Sequence, residues 1–234
     1  MCGRFGATFT FREIKVRWDL QREFPLYAPR FNIAPSQDVL VIASTNSHSD
    51  ARMMRWGLVP SWAKDPTIGN RMINARAETL TEKGAFNTLI DSRRCLVPAS
   101  GFYEWRKEGN RKVPIWFYLK SKEPFAFAAL WDSWRRPDGG NLKTFTIITT
   151  EPNDLLRPVH DRMPVIVRAQ DEVQWLDSSS WPFHRARAVL RPFASAEMSA
   201  HEVSSLVNEP LHDAPDCIQP FSSAEQPGEQ MKLL

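Results

Sequence analysis

The chain has 234 residues, of which 42% are hydrophobic and 24% charged, with nine tryptophans and a formal net charge of +3. That balance describes a globular protein with a sizeable core and excludes a disordered chain. No run of about 18 apolar residues occurs and the polar amino-terminal stretch lacks an apolar segment, so neither a membrane span nor a secretory signal is expected, and a cytoplasmic location is. The three cysteines, Cys2, Cys95 and Cys217, are widely spaced; they argue against a disulfide framework, offer no zinc-ligand cluster and imply no cofactor.

Met1-Cys2-Gly3-Arg4-Phe5 opens the sequence, and removal of the initiator methionine would leave Cys2 as the first residue. Its α-amine and thiol, with ordinary pKa values of about 8 and about 8.5, would both be nucleophilic near neutrality. Such a pair can form an imine with an aldehyde and close it into a thiazolidine, or the thiol can attack an acyl carbon. The plainer reading is a small second residue that only permits methionine removal.

Thr10-Phe11-Arg12-Glu13 has capping-box spacing and predicts one early helix, although the apolar residues of FREIKVRWDL fit a helix imperfectly. After the turn-rich APRFNIAPSQ, the segments 39–44 (VLVIAS) and 52–59 (RMMRWGLV) read as strands, and TEKGAFNTLIDS as a second helix. Strands at 101–107 and 112–119 flank Glu108-Gly109-Asn110-Arg111, and FAFAALWDSW and LKTFTIITT flank Pro137-Asp138-Gly139-Gly140. The two hairpins predict a β meander in the middle of the chain. A short strand at 162–167, helical turns from DEVQWLD into the 180s and a last strand near HEVSSLV complete the pattern. The expected class is α+β, with helices flanking a curled, largely antiparallel sheet in one domain over 1–220, followed by a flexible tail at 221–234.

Residues 197–234 hold seven acidic side chains and one basic one, so the remainder carries 29 basic against 20 acidic groups, and arginine supplies 21 of the chain's 30 basic residues. Arginine's planar fork suits phosphate, which makes a polyanion a candidate partner; ordinary solvated faces would use the same charges. Within GFYEW, Glu104 alternates with aromatic neighbours, an environment that raises a carboxyl pKa and suits proton transfer. His160, beside Asp161 and Arg162, reads either as a proton-transfer group or as a surface-loop histidine. Cys95, inside RRCLVPA, reads as a buried structural thiol.

The ordered segments MCGRF, FNIAPSQ, RWGLVPSWAKD, INARAET, RRCLVPASGFYEW, FAFAALWD, FTIITTEPND and VHDRMPVIV resemble the SRAP family, named for SOS response-associated peptidases, from Met1 to about Pro220. The resemblance implies an SRAP-type domain, a monomer, that captures abasic sites in single-stranded DNA as a covalent crosslink through an amino-terminal cysteine. It makes Cys2 the nucleophile and Asn74, Glu104 and His160 its catalytic partners. His160 would protonate the sugar ring oxygen to expose the aldehyde, Glu104 would shuttle protons, and Asn74 would orient the amine or a sugar hydroxyl. Arg4, Arg76 and Arg162, each within two residues of one of these groups, map to phosphate contacts. Pro35, Trp62 and Trp105 map to groups that support or stack on a kinked strand, and Thr149 to a further DNA contact. The stretch AKDPTIGNRM, between Trp62 and Asn74, is a loop whose length varies in the family. Peptidase action by Cys2, His160 and Asn74, an abasic-site lyase side activity, and a purely non-covalent single-stranded or modified DNA-binding module remain as other readings.

Overall fold

The computed structural model describes residues 2–21, 27–45 and 48–221. Among them lie thirteen strands and four short α-helices. In chain order these are β1 (Phe5–Ala7), α1 (Phe11–Arg17), β2 (Arg30–Ile33), β3 (Asp38–Thr45), β4 (His48–Trp56), β5 (Asn74–Arg76), α2 (Gly84–Asn87), β6 (Arg94–Ala99), β7 (Gly101–Glu108), β8 (Arg111–Leu119), β9 (Phe125–Arg135), β10 (Asn141–Thr150), β11 (Met163–Pro164), β12 (Ile166–Val167), α3 (Glu172–Leu176), α4 (Phe183–Ala186) and β13 (Met198–Glu202).

The strands form two sheets. One runs β13-β8-β7-β1-β2, the other β11-β10-β4-β3-β6-β9-β12, with β5 added beside β10. In the second sheet β10 also pairs β9, so β10, β4, β3, β6 and β9 close into a ring. The expected curled sheet is therefore in part a barrel, which leaves those strands no free edge. Pairing is antiparallel except where β10 meets β4 and β5. The strands that close the barrel are buried nearly end to end, as in Arg94–Ala99 and most of Phe125–Arg135. This explains their continuous apolar runs in place of alternation.

The predicted capping box is present: Thr10 accepts from the Glu13 backbone while Glu13 reaches back to the Thr10 N–H. The imperfect pattern of this segment follows from its shortness, since Trp18 and Leu20 are buried just past the end of α1 while Val16 faces out. The second predicted helix shrinks to the four residues of α2, where Gly84 and Asn87 are poor helix formers; across the predicted segment only Phe86, Leu89 and Ile90 are buried. The predicted strand at 162–167 is split, because β11 pairs β10 and β12 pairs β9, with Val165 bonded to both neighbours between them. The last strand starts at Met198, before the predicted HEVSSLV. Of the tail expected at 221–234, all but Phe221 lies outside the described residues. Among the described residues no helix is long and apolar enough to cross a membrane.

The predicted meander is also corrected, since β7 and β8 belong to one sheet and β9 and β10 to the other. The chain changes sheet at Ser100, whose N–H donates to Gly6 O and whose hydroxyl bonds Thr8. Phe5 then bridges the two layers, packing edge-on against Trp56 (5.2 Å) and Phe127 (5.6 Å). Immediately after the crossover, Gly101 lies beneath the Trp116 ring and the Phe117 carbonyl, where an added Cβ would fall inside van der Waals contact with both. Gly101→Ala is expected to destabilise the protein by about 1–3 kcal/mol through overpacking; urea denaturation checks it, and an unchanged midpoint would mean that Trp116 is free to move aside.

Candidate functional site

The β1–β7 register builds the site. Phe5 is paired with Phe102, Gly6 with Gly101, and the Tyr103 N–H donates to Arg4 O at 3.0 Å. Continued toward the amino terminus, this antiparallel course sets Gly3 opposite Glu104, and Cys2 lies near enough to that carboxyl for its charge to act on the thiol. Cys2 is fully buried, and Asn74 Nδ2 donates to its carbonyl at 2.8 Å. Asn74 begins β5, which lies parallel to β10 with Asn74 beside Ile147 and Arg76 beside Thr149; β11 borders the same end of β10, pairing Pro164 with Thr149. The loop between β10 and β11 carries His160, whose N–H donates to Leu156 O at 3.0 Å.

Electrostatics join these groups into one locus. Burial pushes the Glu104 carboxyl up to about 7, with Asp161 raising it further and the positive amino terminus opposing. Burial and the Glu104 charge raise the Cys2 thiol. Burial and the amino terminus lower His160, against the pull of Asp161. The Arg162 N–H reaches His160 Nδ1 at 3.0 Å, and the Asp161 carboxylate lies 3.0 Å from the same nitrogen. Asn74 Oδ1 is buried without a hydrogen-bond partner among the described residues, leaving an acceptor available to an amine or a hydroxyl.

The three arginines differ in situation. Arg76 is exposed. The Arg162 side chain is 13% exposed and holds Glu78 through two bonds of 2.9 Å while donating to Thr149 O at 2.7 Å. Arg76, Thr149 and Arg162 thus form one group. Arg4 lies apart from them: its Nη1 donates to Asn32 Oδ1 (2.7 Å) and Val207 O (2.6 Å), and its guanidinium is 5.9 Å from the Trp105 ring centre. Trp105 is half-buried against Tyr103 and donates to Asn208 Oδ1 at 2.8 Å, which ties its ring to the C-terminal segment. Trp62, in contrast, is 63% exposed. Pro35 stands next to Ser36, whose hydroxyl reaches Asn70 at 3.2 Å and links that turn to the loop following Trp62.

Asn32 and Glu78 were not singled out by sequence reasoning. Asn32 is fully buried and donates through Nδ2 to Val207 O, Glu209 O and His212 O. The available signal was a polar residue between Phe31 and Ile33 in a strand; Glu78, two residues after Arg76, offered only a charge of opposite sign.

The family model described as SOS response associated peptidase (SRAP) matches residues 1–210. The chain belongs to the SRAP family. SRAP relatives include the abasic site processing protein YoqW of Bacillus subtilis strain 168, 44% identical over 213 residues that span 90% of this chain and 95% of that protein. The abasic site processing protein HMCES of Xenopus tropicalis is 30% identical, covering 89% of this chain and 75% of its own length. A crystal structure of a Bacteroides thetaiotaomicron protein shares the fold with a TM-score of 0.87 at 26% identity, over 94% of this chain and all of that one.

The fold favours the neutral form of Glu104, so the stability this carboxyl contributes is full below its ordinary 4.5 and is lost as pH rises through about 7. Glu104→Gln removes the ionisation. It is expected to be more stable than the parent at pH 8 by on the order of 2–3 kcal/mol, with the gap closing near pH 4. Urea denaturation at the two pH values measures this; equal gaps would place the carboxyl in a water-like setting.

Proposed function

We propose that this SRAP protein processes abasic sites in DNA by capturing them in single strands as a covalent DNA–protein crosslink through Cys2, after removal of Met1. The observation that carries the reading is the seating of Cys2, its carbonyl held by Asn74 and its thiol under the influence of a buried carboxyl titrating near 7. The names of the relatives, abasic site processing proteins, point to the substrate.

The steps follow from these groups. The open-chain abasic sugar presents an aldehyde; the Cys2 amine adds to it, and the carbinolamine loses water to give an imine. Glu104, near half-protonated at neutral pH, can give the proton that helps water leave and take one back from the amine. Burial lowers the His160 pKa, which favours a hydrogen-bonding role at a sugar oxygen over that of standing acid, and the proton donor in this reading is Glu104. The Sγ–H then adds across the C=N bond: a C–S bond forms, the proton goes to nitrogen, and the thiazolidine closes. Ring closure also consumes the imine from which strand cleavage by β-elimination would start.

Peptidase chemistry fits the site less well. A cysteine peptidase needs a thiolate stabilised by its surroundings, whereas burial and the Glu104 charge push this thiol upward. Thiazolidine closure needs no standing thiolate.

Exposed Arg76, the Arg162–Thr149 pair and exposed Trp62 suit a single strand passing the site, the arginines at phosphates and the indole against a base. Arg4, held by Asn32 and Val207, contributes mainly by fixing the segment that leads from Cys2 into β1.

Intact-mass spectrometry of the protein mixed with an abasic oligonucleotide is expected to show a heat-stable adduct that is abolished when an extra residue blocks the amine of Cys2. A stable adduct from blocked protein would sink the reading. With a tetrahydrofuran lesion, which lacks an aldehyde, Arg76→Ala is expected to flatten the slope of log K against log salt by about 0.7. Arg4→Ala should instead lower stability and leave that slope nearly unchanged. Equal slopes in Arg76→Ala and the parent would place the strand elsewhere.

A further inference from the structure

We propose that His212, Asp216 and Cys217 form a binding site for a divalent transition-metal ion of zinc's class, a staple that fastens the C-terminal segment against β2, the strand paired with β1. The widely spaced cysteines hide such a site, because its other donors are a histidine and an aspartate. The donor atoms of the three side chains lie within 4.8 Å of one another. His212 Nε2 and Asp216 Oδ1 are 2.8 Å apart, and Cys217 Sγ sits 3.4 Å from His212 O. A tetrahedral zinc ion, with bonds of about 2.0–2.3 Å, separates its ligand atoms by roughly 3.3–3.6 Å, so the side chains need move only about 1 Å to close on it.

The loop is organised for this before any ion arrives. The Asp213 carboxylate accepts from Arg30 Nε and from the Phe31 and Asn32 N–H groups, anchoring the loop to β2. His212 O accepts from Asn32 Nδ2 at 2.7 Å, and the Cys217 N–H closes a turn onto Ala214 O at 3.0 Å. Three donors within six residues make a local chelate with little loop to order, and backbone partners that orient ligands add to metal affinity. Cys217 is buried while Asp216 is exposed and His212 partly so, which gives an ion entry from solvent on one side and an apolar wall of Tyr103, Trp116 and Val207 on the other. Thiolate with imidazole and carboxylate selects zinc-like ions over calcium and magnesium, which take oxygen ligands; water completes the fourth position, and Cys217 releases its thiol proton to solvent on binding.

The placement gives the ion a task. Val207 O and Asn32, which hold Arg4, belong to the same bonded network as His212, so an ion here would tighten the support of the segment between Cys2 and β1.

Zinc binding is measured by chelator competition on the full chain carrying Cys2→Ala, so that metal held at the amino-terminal cysteine is not counted, and Co²⁺ is added as a spectroscopic probe. One zinc per chain is expected, with a near-ultraviolet thiolate-to-cobalt band. Zinc should raise the melting temperature of this protein but not of the same protein with His212→Ala added. His212→Ala, Asp216→Asn and Cys217→Ser should each weaken binding by at least about tenfold, the lower range for disturbing even the outer shell of a metal site, and Cys217→Ser should abolish the band. Should Cys217→Ser fail to fold, the other two variants, at side chains that reach solvent, decide the matter. Absence of stoichiometric binding, a band that survives Cys217→Ser, or undiminished affinity in both His212→Ala and Asp216→Asn would overturn the proposal.

Discussion

The antiparallel register between β1 and β7 is the constraint on which the rest of the site depends. Side chains alternate faces along a strand, so a slip of one residue would turn Glu104 to the opposite side of its sheet. Several contacts hold that register. Phe5 is wedged between Trp56 and Phe127 of the barrel, Gly6 and Gly101 let the Trp116 ring lie close across the strand pair, and the Arg4 guanidinium is clamped by Asn32 and Val207. None of these groups touches a substrate in the proposed chemistry. They set where the nucleophile and the proton-transfer carboxyl meet.

A second organiser is β10, which borders β4, β5, β9 and β11. Its pairing with β9 and β4 closes the barrel, while its far end places Asn74, Arg76 and Thr149 side by side and leads into the loop with His160. Strands hold side chains more closely than loops do, and here three of the proposed functional positions lie on one strand pair. Arg162 completes the group through Thr149 and keeps Glu78 against its guanidinium, so a phosphate approaching Arg162 meets an anion already in place.

Local patterns in the sequence carried the local structure. The capping box at Thr10 and both hairpins each depend on neighbours a few residues apart, and each is found in the structure. What the sequence did not disclose depends on distant partners. Barrel closure, the split of the 162–167 strand and the separation of the two hairpins into different sheets follow from pairings across the chain. The clamp on Arg4 spans 28 residues to Asn32 and 203 to Val207. Trp105 shows the same limit, because its spacing alone could not reveal Asn208 as its partner. The roles of the candidate site residues came from the resemblance to SRAP proteins; the geometry adds that Cys2 and Asn74 are in contact and that Arg4 stands apart from Arg76 and Arg162.

The proposed chemistry rests on one buried carboxyl whose proton is neither tightly held nor freely lost at neutral pH. Such a group can serve as acid and base in successive steps without exchange with bulk water. The most direct measurement is the pH dependence of the single-turnover rate of crosslinking to an abasic oligonucleotide, taken for the parent and for Glu104→Gln. An inflection near pH 7 in the parent, absent from a slower Glu104→Gln variant, is the expected result. A parent profile without that inflection, or the same inflection in Glu104→Gln, would contradict the assignment of proton transfer to Glu104.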